Sequence, residues 1–315
     1  MESHNDNLYA GIDIGSNTIR LTLGHVEDNS LNTLTRELEI TRLGEDFHRL
    51  MKVSDSAWNR SLAVLKRYSE IIKENNITKI RAVATGVMRK AQNAAEFIDD
   101  VFNKTGIKID VISGEKEAEL TALGVKSAVK TDNSIIFDVG GGSTEFIFDD
   151  NTGKVAVMSI DIGAVTLYES YIRSDPPGGE ELIALNLSIQ DQLGAVVKVE
   201  RFCDCSDVTS EIPLIFTAGT ATTLAAMKLE MKDYDAERIN GATLTYRDVK
   251  GIYEGLIVKS SKERMEIKGL EKGREDIIIS GCMIALNVMD IFRKDDMTIS
   301  DAGLLEGIIL DLGRT

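Results

Sequence analysis

The sequence predicts an α/β protein built from two related halves. Three observations lead there. Residues 10–23 and 135–148 each read as an apolar strand, an Asp, an apolar residue, a Gly, a small polar turn and a second apolar strand. Short β-rich runs alternate with segments whose apolar residues recur at helical spacing, which is the pattern of α/β folds. A polar stretch without apolar periodicity, 126–133, separates the halves.

The second hairpin is the stronger motif. Residues 135–139 lead into Gly140, Gly141 and Gly142, and Ser143 and Thr144 lead out through Glu145. Three glycines exceed what a tight turn requires. Without Cβ atoms the backbone can approach a ligand closely and turn successive N–H groups into one concavity suited to phosphate oxygens. The two hydroxyls add donors. Asp138, at the strand end facing the turn, is placed to hold a divalent cation. The first hairpin repeats this grammar, with Asp13 over Asp138, Gly15 over Gly140 and Thr18 over Ser143. A repeat at such long spacing implies two related halves rather than a short-period solenoid.

In chain order, residues 31–43 read as a strand and its connection, ending at Gly44-Glu45-Asp46-Phe47. Leu62, Leu65, Tyr68, Ile71 and Ile72 fall at helical spacing and mark a core-facing helix over 58–75. A buried strand at 77–84 is expected to lead into Thr85 and Arg89, then a helix near 93–104 and a strand at 107–112. Ser113-Gly114 closes that strand, and Glu115, Glu117 and Glu119 open a helix. Acidic residues there complement the positive helix end, and equally one of them could serve as a catalytic base. The residues alone leave both readings open.

In the second half, a strand is expected at 155–161 and helices at 164–171 and 180–200, with Pro176-Pro177-Gly178-Gly179 as a break between the helices. A strand at 213–216 runs into Thr217-Ala218-Gly219-Thr220 ahead of a helix at 221–227. That turn could seat phosphate at a helix N-terminus or simply pack. A charged loop carrying Arg274 precedes an apolar helix, and a last helix spans 304–312. Arg274 could be a ligand-binding cation or a solvated surface charge.

Composition bounds the function. The 315 residues suffice for two domains, and 43% hydrophobic with 28% charged residues describes a globular protein. The longest apolar stretch, 277–292, is broken by Ser280, Asn287 and Asp290 and cannot span a bilayer. Three cysteines and a polar N-terminus without a signal core fit a cytoplasmic protein. Cys203-Asp204-Cys205 lacks companion Cys or His residues and does not read as a metal site. A formal net charge of −15 argues against nucleic-acid or membrane partners. It also requires that any polyanionic substrate be held by local arginines, backbone N–H groups and bound cations. Neither a P-loop nor a dinucleotide fingerprint occurs.

Taken together, the ordered motifs resemble the exopolyphosphatase and guanosine pentaphosphate phosphohydrolase family, within the acetate/sugar kinase, Hsp70 and actin superfamily. They are Asp13-Ile14-Gly15-Ser16-Asn17, Arg81-Ala82-Val83-Ala84-Thr85, the 111–118 segment, Asp138 through Glu145, Ile162-Gly163-Ala164-Val165, Ser174 to Pro177, Gly219-Thr220, Gly273-Arg274 and Ser300 to Gly303. The resemblance implies two ribonuclease H-like (actin-like ATPase) domains with a central interdomain cleft. These would cover 1–128 and 129–299, with a helix near 300–315 packing back on the first. It implies a phosphoanhydride hydrolase in which Glu117 activates water and Asp138, Asp13 and Glu145 hold Mg²⁺ or Mn²⁺. Gly15, Ser16, Asn17, Arg20, Arg89, Gly140, Gly141, Gly142, Ser143, Thr144, Gly219, Thr220 and Arg274 would bind phosphate. The substrate would be inorganic polyphosphate or guanosine pentaphosphate, and a non-catalytic alarmone sensor is the rival reading. A homodimer is left open. Two departures stand out: Asp46 where the family usually has glycine, and Glu119 where relatives commonly carry arginine.

Overall fold

The computed structural model describes residues 7–27, 30–131, 133–149, 155–197 and 212–314. Cys203, Asp204 and Cys205 lie outside the described residues. The chain divides into two compact units, one of residues 1–127 with 302–315 and one of residues 128–301.

In the first unit, strands β1 (Leu8–Ile14), β2 (Thr18–Glu27) and β3 (Ser30–Ile40) form an antiparallel meander. Strands β4 (Lys79–Ala84) and β5 (Ile109–Val111) add parallel to β1, giving the order β3-β2-β1-β4-β5. Helix α1 (Asp55–Glu74) buries Leu62, Leu65, Tyr68 and Ile72 on one face, and the Ser54 hydroxyl caps its start by accepting from the Ala57 N–H. Helix α2 (Ala94–Thr105) packs beside it. Helix α3 (Gly114–Ala128) follows β5.

In the second unit, β6 (Ser134–Val139), β7 (Thr144–Asp149) and β8 (Val155–Ile160) form a second meander. Strand β9 (Leu214–Thr217) and β11 (Asp296–Ser300) add parallel to β6, and β10 (Thr243–Thr245) caps the edge, so the order is β10-β11-β9-β6-β7-β8. Apart from β10 the two sheets have the same plan: an antiparallel meander extended by two parallel strands from its first member. The duplication seen in the two hairpins therefore extends through the sheets. Phe137, Phe146 and Phe216 lie side by side on three neighbouring strands, with Phe137 and Phe216 stacked at 4.2 Å between ring centroids. Helices α4 (Ala164–Tyr171), α5 (Gly179–Val197), α6 (Ala218–Lys228), α7 (Tyr246–Ile257) and α8 (Ile278–Ile291) complete the second unit.

Helix α9 (Leu304–Gly313) returns to the first unit and lies on β1, β2 and β4. A Cβ on Gly11 would meet the Ile309 side chain at 2.6 Å, and Arg81 pairs with Asp311. Helix α9 also meets α3 backbone to backbone. A Cβ on Gly124 would sit 1.9 Å from the Gly303 carbonyl oxygen, and one on Gly307 would sit 1.8 Å from that of Leu120. Among the described residues no helix is long and apolar enough to cross a membrane.

Candidate active site

The two Asp-x-Gly hairpins have one backbone design. The Gly15 N–H donates to the Thr18 carbonyl at 2.9 Å, and the Gly140 N–H donates to the Ser143 carbonyl at 3.0 Å. A Cβ on either Gly15 or Gly140 would lie 3.2 Å from that same carbonyl oxygen. The overlay read from spacing, Gly15 on Gly140 and Thr18 on Ser143, is the one the hydrogen bonds make. Strand register carries it two residues further: Asp13 stands opposite Arg20, and Asp138 stands opposite Glu145.

Different segments brace each turn. Around the first, the Thr41 and Arg42 N–H groups donate to the Asn17 carbonyl, and the Gly44 N–H donates to that of Ser16. The Ser16 hydroxyl accepts from the Val87 N–H at 3.1 Å, and a Cβ on Gly86 would fall 2.3 Å from it. Asp46 follows with φ of 58°, a left-handed conformation that glycine adopts freely and Asp tolerates better than most residues. Around the second, the N-terminus of α4 donates from Ala164 to the Gly140 carbonyl and from Val165 and Thr166 to that of Gly141. A Cβ on Gly163 would lie 2.4 Å from Gly141 backbone atoms, and the Thr144 hydroxyl donates to the Ile162 carbonyl at 2.7 Å. The 162–165 motif is thus the buttress of the triple-glycine turn.

The charges of the hairpins differ. Arg20 donates through Nε and Nη2 to Asp13 Oδ2, at 3.0 and 2.6 Å, in a largely buried pair. Asp13 Oδ1 and Asn17 Nδ2 are buried without a hydrogen-bond partner among the described residues. Orphan buried polar atoms beside a glycine turn are where a ligand would supply the missing partners. In the second hairpin Asp138 and Glu145 are directly opposed and nearly fully buried. The Ser159 hydroxyl donates to Glu145 at 2.9 Å.

The three glutamates of helix α3 separate cleanly. Glu115 is exposed, and hydrogen bonds from its own backbone and from Ser113 hold its carboxyl below the ordinary glutamate range. Glu119 is exposed and pairs with Lys116 at 3.2 Å. Glu117 is only 7% exposed and pairs with Arg89, with Thr85 also hydrogen-bonding it. Burial pushes its carboxyl up, Arg89 opposes that, and the nearby Asp13 charge adds to the rise. Thr85 is a contact the sequence reading did not assign, although it directly follows β4 in one of the quoted motifs.

The third turn differs from expectation. Helix α6 begins at Ala218 rather than Ala221, so Gly219 and Thr220 lie in its first turn. Ala218 takes a φ of 70° to enter it. Gly219 lies directly under Arg274: a Cβ there would fall 2.0 Å from Arg274 Nη2, so the guanidinium would have to move. Arg274 is therefore no solvated surface charge: its buried guanidinium covers Gly219, with Nε donating to Glu271. Asp13, Arg20, Arg89, Thr85 and Glu117 thus gather in the first unit. Asp138, Glu145 and the 140–144 turn form a second group in the other unit, and Gly219, Thr220 and Arg274 a third.

No group of three or more His, Cys, Asp or Glu side chains gathers among the described residues. An opposed carboxylate pair with neighbouring hydroxyls fits Mg²⁺ or Mn²⁺, because Mg²⁺ in phosphate sites takes one or two carboxylates and completes its octahedron with water and phosphate oxygens. Such a donor set would suit zinc poorly.

An α/β fold with duplicated sheets, each opened by an Asp-x-Gly hairpin, is an actin-like ATPase fold. The sequence matches the model of the Ppx/GppA phosphatase family over residues 23–314. The chain belongs to this family and is a phosphoanhydride hydrolase of its type. It is 34% identical to a bifunctional 3-dehydroquinate synthase/phosphatase of Fusobacterium nucleatum, over 98% of this chain but 47% of that relative. It therefore spans about half of that protein. It is 29% identical to exopolyphosphatase 2 of Mycobacterium tuberculosis, covering 96% of this chain and 98% of the relative. Among solved structures, the Aquifex aeolicus Ppx/GppA enzyme aligns with a TM-score of 0.79 at 32% identity, over 96% of this chain and 99% of that one. An exopolyphosphatase-like protein aligns with a TM-score of 0.89 at 28% identity over 98% of both chains.

Proposed function

We propose that this protein releases terminal phosphate from inorganic polyphosphate, with Glu117 as the general base. The observation that carries this reading is the buried Glu117 carboxylate, raised by desolvation and oriented by Arg89 and Thr85. A carboxylate with raised pKa is a better base near neutrality than an ordinary one. Water hydrogen-bonded to Glu117 attacks the terminal phosphorus while its proton passes to the carboxylate. The bridging P–O bond breaks, and its electrons leave with the shortened chain. Arg20, Arg89 and Arg274 neutralise phosphoryl oxygens, the guanidinium fork suiting their geometry. The turns at Gly15 to Asn17, Gly140 to Thr144 and Gly219 to Thr220 donate backbone and hydroxyl hydrogen bonds.

Asp138 and Glu145 in the second unit are the groups that would hold Mg²⁺ or Mn²⁺, and the unpaired oxygen of Asp13 is a further carboxylate acceptor in the first unit. When bound, the ion would offset charge on the phosphoryl oxygens. The similarity to a relative named exopolyphosphatase supports polyphosphate. Guanosine pentaphosphate presents a chemically equivalent terminal anhydride and is the alternative substrate.

The test is phosphate release by wild type and Glu117→Gln on short polyphosphate, long polyphosphate and guanosine pentaphosphate. Glu117→Gln keeps size and reach but removes basicity, so turnover should drop by roughly 10²–10⁴-fold on the true substrate. Affinity should hold or tighten, because a negative charge beside a polyanion is lost. Near-normal turnover of Glu117→Gln would sink the mechanism, and preference for the nucleotide would replace the substrate.

A further inference from the structure

The largest fully buried side chain outside the hydrophobic cores is Arg264, 1% exposed, in the one-turn helix Ser261–Arg264. A buried guanidinium is tolerated only when its N–H groups are satisfied. Arg264 meets this by joining three separate segments, one of them distant in sequence. Its Nε donates to the carbonyls of Leu256, at 3.2 Å, and Lys259, at 3.0 Å, past the end of α7. Its Nη2 donates to Asp175 Oδ1 at 3.1 Å, in the break between α4 and α5. Its Nη1 donates to the carbonyl of Glu275.

That last contact matters because Glu275 follows Arg274. The loop before α8 is also held by Leu270 and Ile277 against the core, by Gly269 packed on the Ala226 backbone and by the Gly273 N–H donating to the Glu275 carboxylate. Gly269 and Gly273 both take positive φ, at 81° and 88°, and the Arg274 N–H reaches the Glu271 carbonyl at 3.1 Å. The backbone next to Arg274 is in turn tied by Arg264, at the Glu275 carbonyl, to the end of α7 and to Asp175. An apolar side chain could fill the same volume, but it could not hold three backbone carbonyls and a carboxylate together.

We infer that Arg264 is a positioning residue for substrate phosphate: it holds the 269–276 loop so that Arg274 meets the N-terminus of α6. The inference rests on the reading of Arg274 as a phosphate-binding residue, and the experiment separates the two. Inorganic tripolyphosphate is the probe. KM and kcat are measured for Arg264→Gln, Arg264→Lys, Arg274→Ala and the double variant Arg264→Gln/Arg274→Ala, with thermal midpoints recorded alongside. Arg264→Gln should raise KM by about three- to tenfold with kcat within about twofold, the signature of lost binding. Arg264→Lys should not rescue, since one ammonium cannot span the three segments. In the Arg274→Ala background, Arg264→Gln should leave KM within about twofold of that of Arg274→Ala alone, because the two act as one unit.

A KM increase that persists undiminished in the double variant overturns the inference, as does a fall in kcat at constant KM. If Arg274→Ala itself leaves KM unchanged, the phosphate role of Arg274 fails. Hydrogen exchange then decides the positioning claim alone: faster exchange of the 271–278 amides in Arg264→Gln supports it, and unchanged exchange overturns it. Should Arg264→Gln not accumulate as folded protein, Asp175→Asn takes its place. Asp175 is partly exposed and leaves the carbonyl contacts intact. A smaller KM rise that vanishes with Arg274→Ala supports the inference, and an unchanged KM overturns it.

Discussion

The two Asp-x-Gly hairpins share backbone, register and turn hydrogen bond, yet they carry opposite electrostatics. In the first, Asp13 faces Arg20 and the charge is balanced within the protein. In the second, Asp138 stands opposite Glu145, which accepts from the Ser159 hydroxyl. One exchanged position, Arg20 against Glu145, gives the two copies of the turn different charge, and under the proposed function the second is the copy that recruits a metal ion.

The sharpest way to break this comparison is to remove the recruiting pair. Asp138→Asn and Glu145→Gln should each lower turnover by about 10²-fold or more and demand higher Mg²⁺ for half-maximal rate, since the lost charge stabilisation is worth several kcal/mol. Metal titration of the rate checks it, and excess chelator should stop the wild type. Undiminished release in chelator would remove the metal role from both residues.

Next in size is Arg20→Ala. It strands the Asp13 carboxylate at 5% side-chain exposure, so stability should fall by roughly 1–3 kcal/mol, discounted because Arg20 itself is partly exposed. Denaturant melts measure this, and Mg²⁺ dependence should stay as in wild type. A shift in metal dependence equal to that of Asp138→Asn would mean the hairpins are not divided as described.

The braces differ as well. Gly163→Ala drives a Cβ to 2.4 Å from Gly141 backbone, whereas Gly44→Ala meets Ser16 at 3.2 Å. The first should cost about 1–3 kcal/mol and activity with it, the second less than about 1 kcal/mol. Equal costs would show that the triple-glycine turn is no more rigidly seated than the other.

The smallest effect is in pH. The Glu117 carboxyl titrates above its ordinary value of 4.5, so the rate should rise with pH through that raised value. The folded state holds this proton more tightly than the unfolded chain. Stability from Glu117 is therefore full below the ordinary value and is lost as pH rises through the folded one. Both the acidic limb of the rate profile and this loss should disappear in Glu117→Gln. Parallel rate and melting profiles in the two proteins would contradict the assignment.

The strand–turn–strand grammar was legible because glycine and aspartate occur where a turn and a strand end need them. Asp46 was legible as a departure, and its φ of 58° explains why glycine is usual there. The Arg89–Glu117 pair was not, because its partners lie on separate elements and only the fold brings them together. Arg264 gave no signal in the sequence for the same reason: three of its four acceptors are backbone carbonyls, which no side-chain pattern announces. The start of α6 was misplaced since Gly219 reads as a helix breaker, while in the fold it lies inside the first turn, directly under Arg274.

The contact of α3 with α9 has a consequence for biosynthesis. The helix that bears Glu117 rests on Gly303 and Gly307, from the last stretch of the chain. Translation delivers residues from the N-terminus, so residues 128–301 have all emerged from the ribosome before the first unit has its final helix. The half that begins first is completed last. A nascent chain halted before residue 302 would carry Glu117 on a helix still lacking its partner, and that helix is supported only once residues 303–307 have emerged.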